Sequence, residues 1–195
     1  MRDHEIDRRT KETEINVRLC IDGSGACRAD TGIGFLNHML ELFAAHGKFD
    51  IDVMCIGDLY VDYHHTTEDV AIALGRAFSG ALGDKRGIRR YGQRILPMDE
   101  ALVMCAVDIG GRAFLGYDVL LRTEKVGEFD TELVKEFMLA FTREAGINLH
   151  ITAMKGENSH HVIEAVFKSL ARALADAASI DERFAGEIPS TKGLI

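Results

Sequence analysis

Two spacings of apolar residues take turns along the chain, and each marks a different element. Thr13–Ile21 (TEINVRLCI) places apolar residues at every second position, the period of a half-buried strand. After Gly32–Gly34 the period lengthens, and Phe35–Ala45 reads as an amphipathic helix closed by His46-Gly47. Phe49–Cys55 (FDIDVMC) returns to period two. A second helix opens at Thr66-Thr67-Glu68 and runs to Leu82, with Val70, Leu74, Ala77, Phe78 and Leu82 as its apolar stripe.

The same order follows again. Ala101–Val107 and Ala113–Leu121 predict strands, and Thr131–Ala145 predicts a helix stopped by Gly146. Ile147–Ala153 is strand-like, and Ser159–Ala178 is a long helix with Val162, Val166, Leu170, Leu174 and Ala178 on one face. The two series superpose. Leu36–Leu40 (LNHML) falls on Val134–Met138 (VKEFM), Gly47 near Gly146, and Phe49–Val53 on Ile147–Ile151. His64–Glu68 (HHTTE) then meets His160–Glu164 (HHVIE), with an offset drift of two residues that one hairpin absorbs. Repetition of this kind predicts a duplicated fold. The class is α/β (α+β two-layer): each half is a mixed sheet packed on helices, and an approximate two-fold axis relates the halves. Residues 1–92 carry the first half and 93–195 the second, together one compact domain.

Composition narrows the function. Of 195 residues, 47% are hydrophobic and 28% charged, the balance of a globular protein. A net charge of −8 argues against a nucleic-acid surface, yet a few local Arg and Lys can still hold one phosphate. No apolar run approaches the ~20 residues of a membrane span. The charged start, Met1-Arg2-Asp3-His4-Glu5, is unlike a signal peptide. Cys20, Cys27, Cys55 and Cys105 form no Cys-x-x-Cys pair, and three sit in strand-like runs. They read as reduced, mostly buried thiols of a cytoplasmic protein with no nucleic-acid or membrane partner.

The histidines carry the chemistry. Four of the eight form two adjacent pairs. On a helix, positions i and i+4 share a face, so His64 with Glu68, and His160 with Glu164, can each grip a cation. The next residue points about 100° away, which turns His65 and His161 elsewhere. The simplest arrangement is two metal ions, with each pair divided between them. The repeat adds His38 and Glu136, which hold equivalent places on the first helix of each half. Imidazoles and carboxylates without thiolate favour Mn, Fe, Co or Zn over Mg or Ca. His4, His46 and His150 lack such context and read as surface, cap and strand residues.

A second set is basic. Arg86, Arg89 and Arg90 follow Gly83, and Arg112 follows Gly110-Gly111. Lys168 lies one turn beyond Glu164, and Ser190-Thr191-Lys192-Gly193 follows Pro189. Arg and Lys so placed can hold an anion beside the metals.

Together these motifs resemble the imidazoleglycerol-phosphate dehydratase family of histidine biosynthesis, in its monofunctional form. The stretches that carry the resemblance run in the family's order over nearly the whole chain. They are RRTKETEINV (Arg8–Val17), GIGFLNHML (Gly32–Leu40), HHTTEDVAIALG (His64–Gly75), GIRRYG (Gly87–Gly92) and MDEAL (Met98–Leu102). GGRAFLGYD (Gly110–Asp118), GENSHHVIEAVFKSLARAL (Gly156–Leu174) and PSTKG (Pro189–Gly193) complete them. The resemblance implies a lyase that dehydrates D-erythro-imidazole-glycerol phosphate to imidazole-acetol phosphate, with two Mn2+ per active site. It assigns His38, His65, His160 and Glu164 to one ion, and His64, Glu68, Glu136 and His161 to the other. Glu12 is the implied acid/base, with Glu164 as second candidate. Arg90, Arg112, Lys168, Ser190 and Lys192 are the implied phosphate ligands. A 24-subunit homo-oligomer, with sites completed between subunits, is implied as well.

The chain departs from the family pattern beside the site. Many relatives carry histidine where Glu136 stands, aspartate at Asn37, proline at Gly34 and aspartate at Tyr63. The implied chemistry uses the imidazole ring as electron sink. Two cations would stabilise an imidazolate, which would expel the neighbouring hydroxyl through a diazafulvene-like species; loss of the carbon-bound proton to a carboxylate would then give an enol that becomes the ketone. Two rivals stand beside this reading. A two-metal hydrolase would release inorganic phosphate. A ferritin-like metal store would need Glu-x-x-His helices, and the strands argue against a pure bundle.

Overall fold

The computed structural model describes residues 1–195. The first half runs β1 (Asp3–Arg9), β2 (Thr13–Cys20), β3 (Cys27–Asp30), α1 (Gly34–Gly47), β4 (Asp50–Gly57) and α2 (His64–Leu82). The second begins with β5 (Tyr91–Met98), β6 (Ala101–Asp108) and β7 (Phe114–Asp118). A short hairpin follows, β8 (Lys125–Val126) and β9 (Phe129–Asp130), then α3 (Leu133–Ala145), β10 (Asn148–Lys155) and α4 (Ser159–Ala178). The sheet orders β1-β2-β4-β3 and β5-β6-β10-β7 are the same pattern twice. In each, the fourth strand is parallel to its neighbour and the other pairings are antiparallel. The duplicated, mixed-sheet α/β fold read from the sequence is the fold observed.

One face of each sheet is buried. Ile15, Val17 and Leu19 of β2 point inward while Glu14 and Arg18 point out, as strand alternation requires. Helix α2 lies on β1 and β2, and α4 lies on β5 and β6. Across the junction α1 packs on α4 and α2 on α3. A single cluster of 51 buried apolar residues therefore runs through both halves. Neither half could bury its helices alone. The α2–α3 contact is close because Gly75 has no side chain: a Cβ there would sit 2.8 Å from the Phe141 carbonyl oxygen.

Four features differ from the sequence reading. Strands β1, β3, β5, β8 and β9 were not expected. The edge strands β1 and β5 bury little on either face, so their apolar alternation is faint. Helix α2 begins at His64 rather than Thr66; its N-cap Tyr63 makes no side-chain cap, and Asp62 Oδ1 accepts from the His64 backbone N–H at 2.7 Å as in an Asx turn. Helix α1 keeps Gly47 within the helix, and Lys48 takes the left-handed turn at φ 58°. Gly47 lies under the Phe49 ring, where a side chain would collide. Finally, β5 starts at Tyr91, so the two halves join across residues 83–90 and residue 92 already lies in a strand. No helix is long and apolar enough to cross a membrane.

Candidate metal centre and anion site

Helix α4 starts at a cap that fixes its first turn. Asn158 Oδ1 accepts from the backbone N–H groups of His160 (2.9 Å) and His161 (3.4 Å). His160 and Glu164 then share the face turned toward α1, which supplies His38. His38 Nε2 and His160 Nε2 each lie 3.1 Å from Glu164 Oε1. The three ligand atoms lie within 4.8 Å of one another, and no other such group of His, Cys, Asp or Glu occurs in the chain. Glu164 is buried, and Lys168 Nζ pairs with its other oxygen while lying 3.4 Å from Met98 Sδ. Burial pushes the Glu164 carboxyl up, but Lys168, His38 and His160 outweigh it and hold it at about 2. Glu164 is thus an anion with two imidazole nitrogens converging on it. That mixed N/O donor set fits a first-row divalent cation.

The repeat places the second set on α2 and α3. His64 Nε2 lies 3.8 Å from Glu68 Oε2. Glu68 and Glu136 line one pocket of about 270 Å3, with Phe114 and Arg143. Arg143 Nη2 stands 3.8 Å from Glu68 Oε1. This set is more open: the Glu68 side chain is 35% exposed, against 9% for Glu164.

The remaining two histidines turn away from their neighbours. The His64 and His65 rings are 6.3 Å apart at 85°, and His160 and His161 are 6.3 Å apart at 83°. His65 Nδ1 is 3.0 Å from Asp58 Oδ2, and its Nε2 is 3.8 Å from Glu12 Oε1. His161 Nδ1 is 2.7 Å from Glu100 Oε2, and its Nε2 is 3.8 Å from Asp99 Oδ2. Hydrogen bonds to Asp58 and Glu100 raise both imidazoles above their ordinary value. Glu100 is held at about 2 by His161 and by the Asn158 backbone N–H. The structure therefore brings together His38, His160 and Glu164, and gathers His64, Glu68 and Glu136 more loosely. Within one chain it sends His65 and His161 elsewhere. Sequence reasoning did not single out Asp58 or Glu100. The usable signal was position, since Glu100 stands just before β6 as Glu12 stands just before β2.

A pocket of about 520 Å3 adjoins the tight trio, lined by Phe35, His38, Tyr63, His160 and the β8–β9 hairpin. Phe35 meets the His160 ring edge-on, with centroids 5.3 Å apart. The hairpin has no counterpart in the first half, so it breaks the repeat at this pocket.

The basic residues fall into two places. Arg90 bonds Asp108 through Nε (2.6 Å) and Nη2 (3.1 Å), and Pro189 O through Nη1 (2.8 Å). It thereby pins the segment that carries Ser190 and Lys192. The chain end at Ile195 lies against Gly111, beside Arg112. Arg90, Arg112, Ser190 and Lys192 thus gather around one tail. Lys168 is not among them. The Arg90 N–H bonds Ala177 O at 2.8 Å, at the far end of α4, about 20 Å along the helix from Glu164. Arg86 and Arg89 engage acidic neighbours, Asp84 at 2.9 Å and Asp181 at 3.9 Å. All four cysteines are free, and Cys20, Cys55 and Cys105 are buried.

The imidazoleglycerol-phosphate dehydratase family model matches residues 31–174. The imidazoleglycerol-phosphate dehydratase of Methylorubrum extorquens is 56% identical over 99% of both chains. That of Lachnoclostridium phytofermentans is 54% identical over 98% of this chain and 97% of its own. The crystal structure of imidazoleglycerol-phosphate dehydratase from Staphylococcus aureus superposes with a TM-score of 0.84 at 39% identity, over 92% of this chain and 99% of that one. The Pyrococcus furiosus structure gives 0.84 at 35% identity, over 97% and 100%. With the duplicated fold and the repeated histidine pairs, these matches make the chain a member of the imidazoleglycerol-phosphate dehydratase family.

Proposed function

We propose that this chain dehydrates D-erythro-imidazole-glycerol phosphate to imidazole-acetol phosphate, in cytoplasmic L-histidine biosynthesis, at a site that takes two Mn2+ ions. The observation that carries the reading is the convergence of His38, His160 and Glu164, repeated in looser form by Glu136, His64 and Glu68. When bound, the two cations supply Lewis-acid stabilisation to an imidazole ring that must carry charge, because the proton lost has no adjacent carbonyl.

The chain's own residues supply the rest. Glu12 stands in the β1–β2 hairpin with its side chain 52% exposed, within 3.8 Å of His65 Nε2. Such a carboxylate can reach the carbon-bound proton of a substrate held at that imidazole. Glu164 is ionised, buried and engaged by Lys168, His38 and His160, which makes it a poor base. Between the two candidates the geometry favours Glu12. The tail held by Arg90 offers Ser190 and Lys192, with Arg112 beside it, to a phosphate.

The trio and the tail lie too far apart in one chain for one small substrate to touch both. His65 and His161 are also turned from their adjacent histidines, toward Asp58 and Glu100. Both facts support sites assembled from neighbouring copies, and with them a homo-oligomer such as a 24-subunit shell. The test is an assay of the purified, Mn2+-loaded protein on imidazole glycerol phosphate. The expected result is a ketone that keeps its phosphate, with turnover abolished by a chelator. Release of inorganic phosphate would instead identify a hydrolase.

A further inference from the structure

Two carboxylates, Asp58 and Glu100, stand behind the histidines that the trios leave out. Asp58 follows β4, with both carboxylate oxygens facing His65 Nδ1, at 3.0 and 3.3 Å. Its side chain is 14% exposed and makes no other hydrogen bond or ion pair. Glu100 precedes β6. One oxygen faces His161 Nδ1 at 2.7 Å, and the other accepts from the backbone N–H groups of Glu157 (3.2 Å) and Asn158 (2.8 Å). Glu100 is therefore anchored to the loop that starts α4.

An imidazole that donates Nδ1–H to a fixed carboxylate is held in one tautomer and one orientation, with its lone pair on Nε2. Both histidines are arranged this way, from different elements. The repeat makes the difference informative. Glu12 and Glu100 occupy the same place, one residue before the second strand of their sheet. Glu100 is taken up by His161 Nδ1. In the first half Asp58 fills that task, and Glu12 is left on the Nε2 side of His65.

We infer that Asp58 and Glu100 are positioning residues that hold His65 and His161 through Nδ1, so that each presents Nε2 as a metal ligand. Asp58 thereby frees Glu12 to act on the substrate. This inference rests on the two-Mn2+ reading above.

The test is a Mn2+ titration of the purified assembly, followed by the paramagnetic resonance of free Mn2+, for wild type, Asp58→Ala, Asp58→Asn, Glu100→Ala and Glu100→Gln. Wild type is expected to take two ions per chain. Each alanine variant should bind one of the two roughly 10–100-fold more weakly. Asn and Gln keep an acceptor oxygen and should restore most of that loss. Glu100→Ala also frees two backbone donors and can unsettle the start of α4, so the Asp58 pair decides. Asp58→Ala that binds both ions like wild type, or Asp58→Asn no better than Asp58→Ala, overturns the inference while leaving the two-Mn2+ reading standing. Wild-type protein that takes fewer than two ions overturns both.

Discussion

His38 and His160 close on Glu164 at 3.1 Å, whereas His64 and Glu68 stand 3.8 Å apart and Glu136 only lines a pocket with Glu68. The same helical spacing builds both sets, so spacing does not explain the contrast. Their neighbours do. One turn beyond Glu164, Lys168 neutralises a buried carboxylate, while the equivalent position after Glu68 is the apolar Ile72. The first helix of each half contributes an imidazole in one set and a carboxylate in the other. The hairpin β8–β9 adds a pocket wall beside the tight set alone. Duplication sets where these side chains stand, and the neighbouring charges differ between the two sets.

The largest expected effect leaves both sets intact. Glu12→Gln should lower turnover by about 10^2–10^4 while Mn2+ uptake stays at the wild-type level. Near-normal turnover in a steady-state assay would remove Glu12 as the proton carrier. Next comes the contrast in burial. Glu164→Ala strands Lys168 without its partner and should cost about 3–5 kcal/mol. Glu68→Ala breaks only exposed contacts and should cost under ~1 kcal/mol. Melting of the metal-free variants measures both, and equal losses would erase the distinction drawn between the two sets. Third, Glu136→His gives the open set the imidazole of the closed one. It should loosen the weaker Mn2+ site, because a neutral imidazole replaces an anionic oxygen ligand better suited to Mn2+. Titration of both sites reads this, and an unchanged weaker site would show that Glu136 is no ligand.

The smallest effect is a pH dependence of the metal-free protein. Glu164 and Glu100 are held at about 2, below the ordinary 4.5. Their contribution is full above about pH 4.5 and fades as pH falls toward 2. His65 and His161 are raised above 6.5, so theirs is full below 6.5 and fades as pH climbs through the raised values. Melting temperature should therefore plateau between about pH 4.5 and 6.5. Glu164→Gln should shallow the acid arm by a few degrees, and an acid arm identical to wild type would deny Glu164 its ionised, paired state.

Much of this was legible in the chain. The stripes of α2 and α4 fixed their helical phase, and His64–Glu68 and His160–Glu164 inherited it. The perpendicular rings of each histidine pair follow from the same 3.6-residue period. The edge strands were not legible, because β1 (DHEIDRR) buries too little to alternate clearly. Asp58 and Glu100 were hidden for another reason. Asp58 stands seven residues before His65, in the irregular loop that leads into α2, where no periodicity marks it. Glu100 reaches His161 across 61 residues, a proximity that the pairing of β6 with β10 creates. The separation of Lys168 from Arg90 depends likewise on how α4 lies along β5. Met98 at one end of β5 meets Lys168, and Arg90 at the other meets Ala177. Nothing in local sequence records that direction.

Diffraction from crystals grown with Mn2+, recorded at the manganese absorption edge, addresses the central claim most directly. Two anomalous peaks per chain are predicted, one bonded to His38, His160 and Glu164 and the other to His64, Glu68 and Glu136. Ordered side chains with no peak within bonding distance of Glu164 would contradict the account.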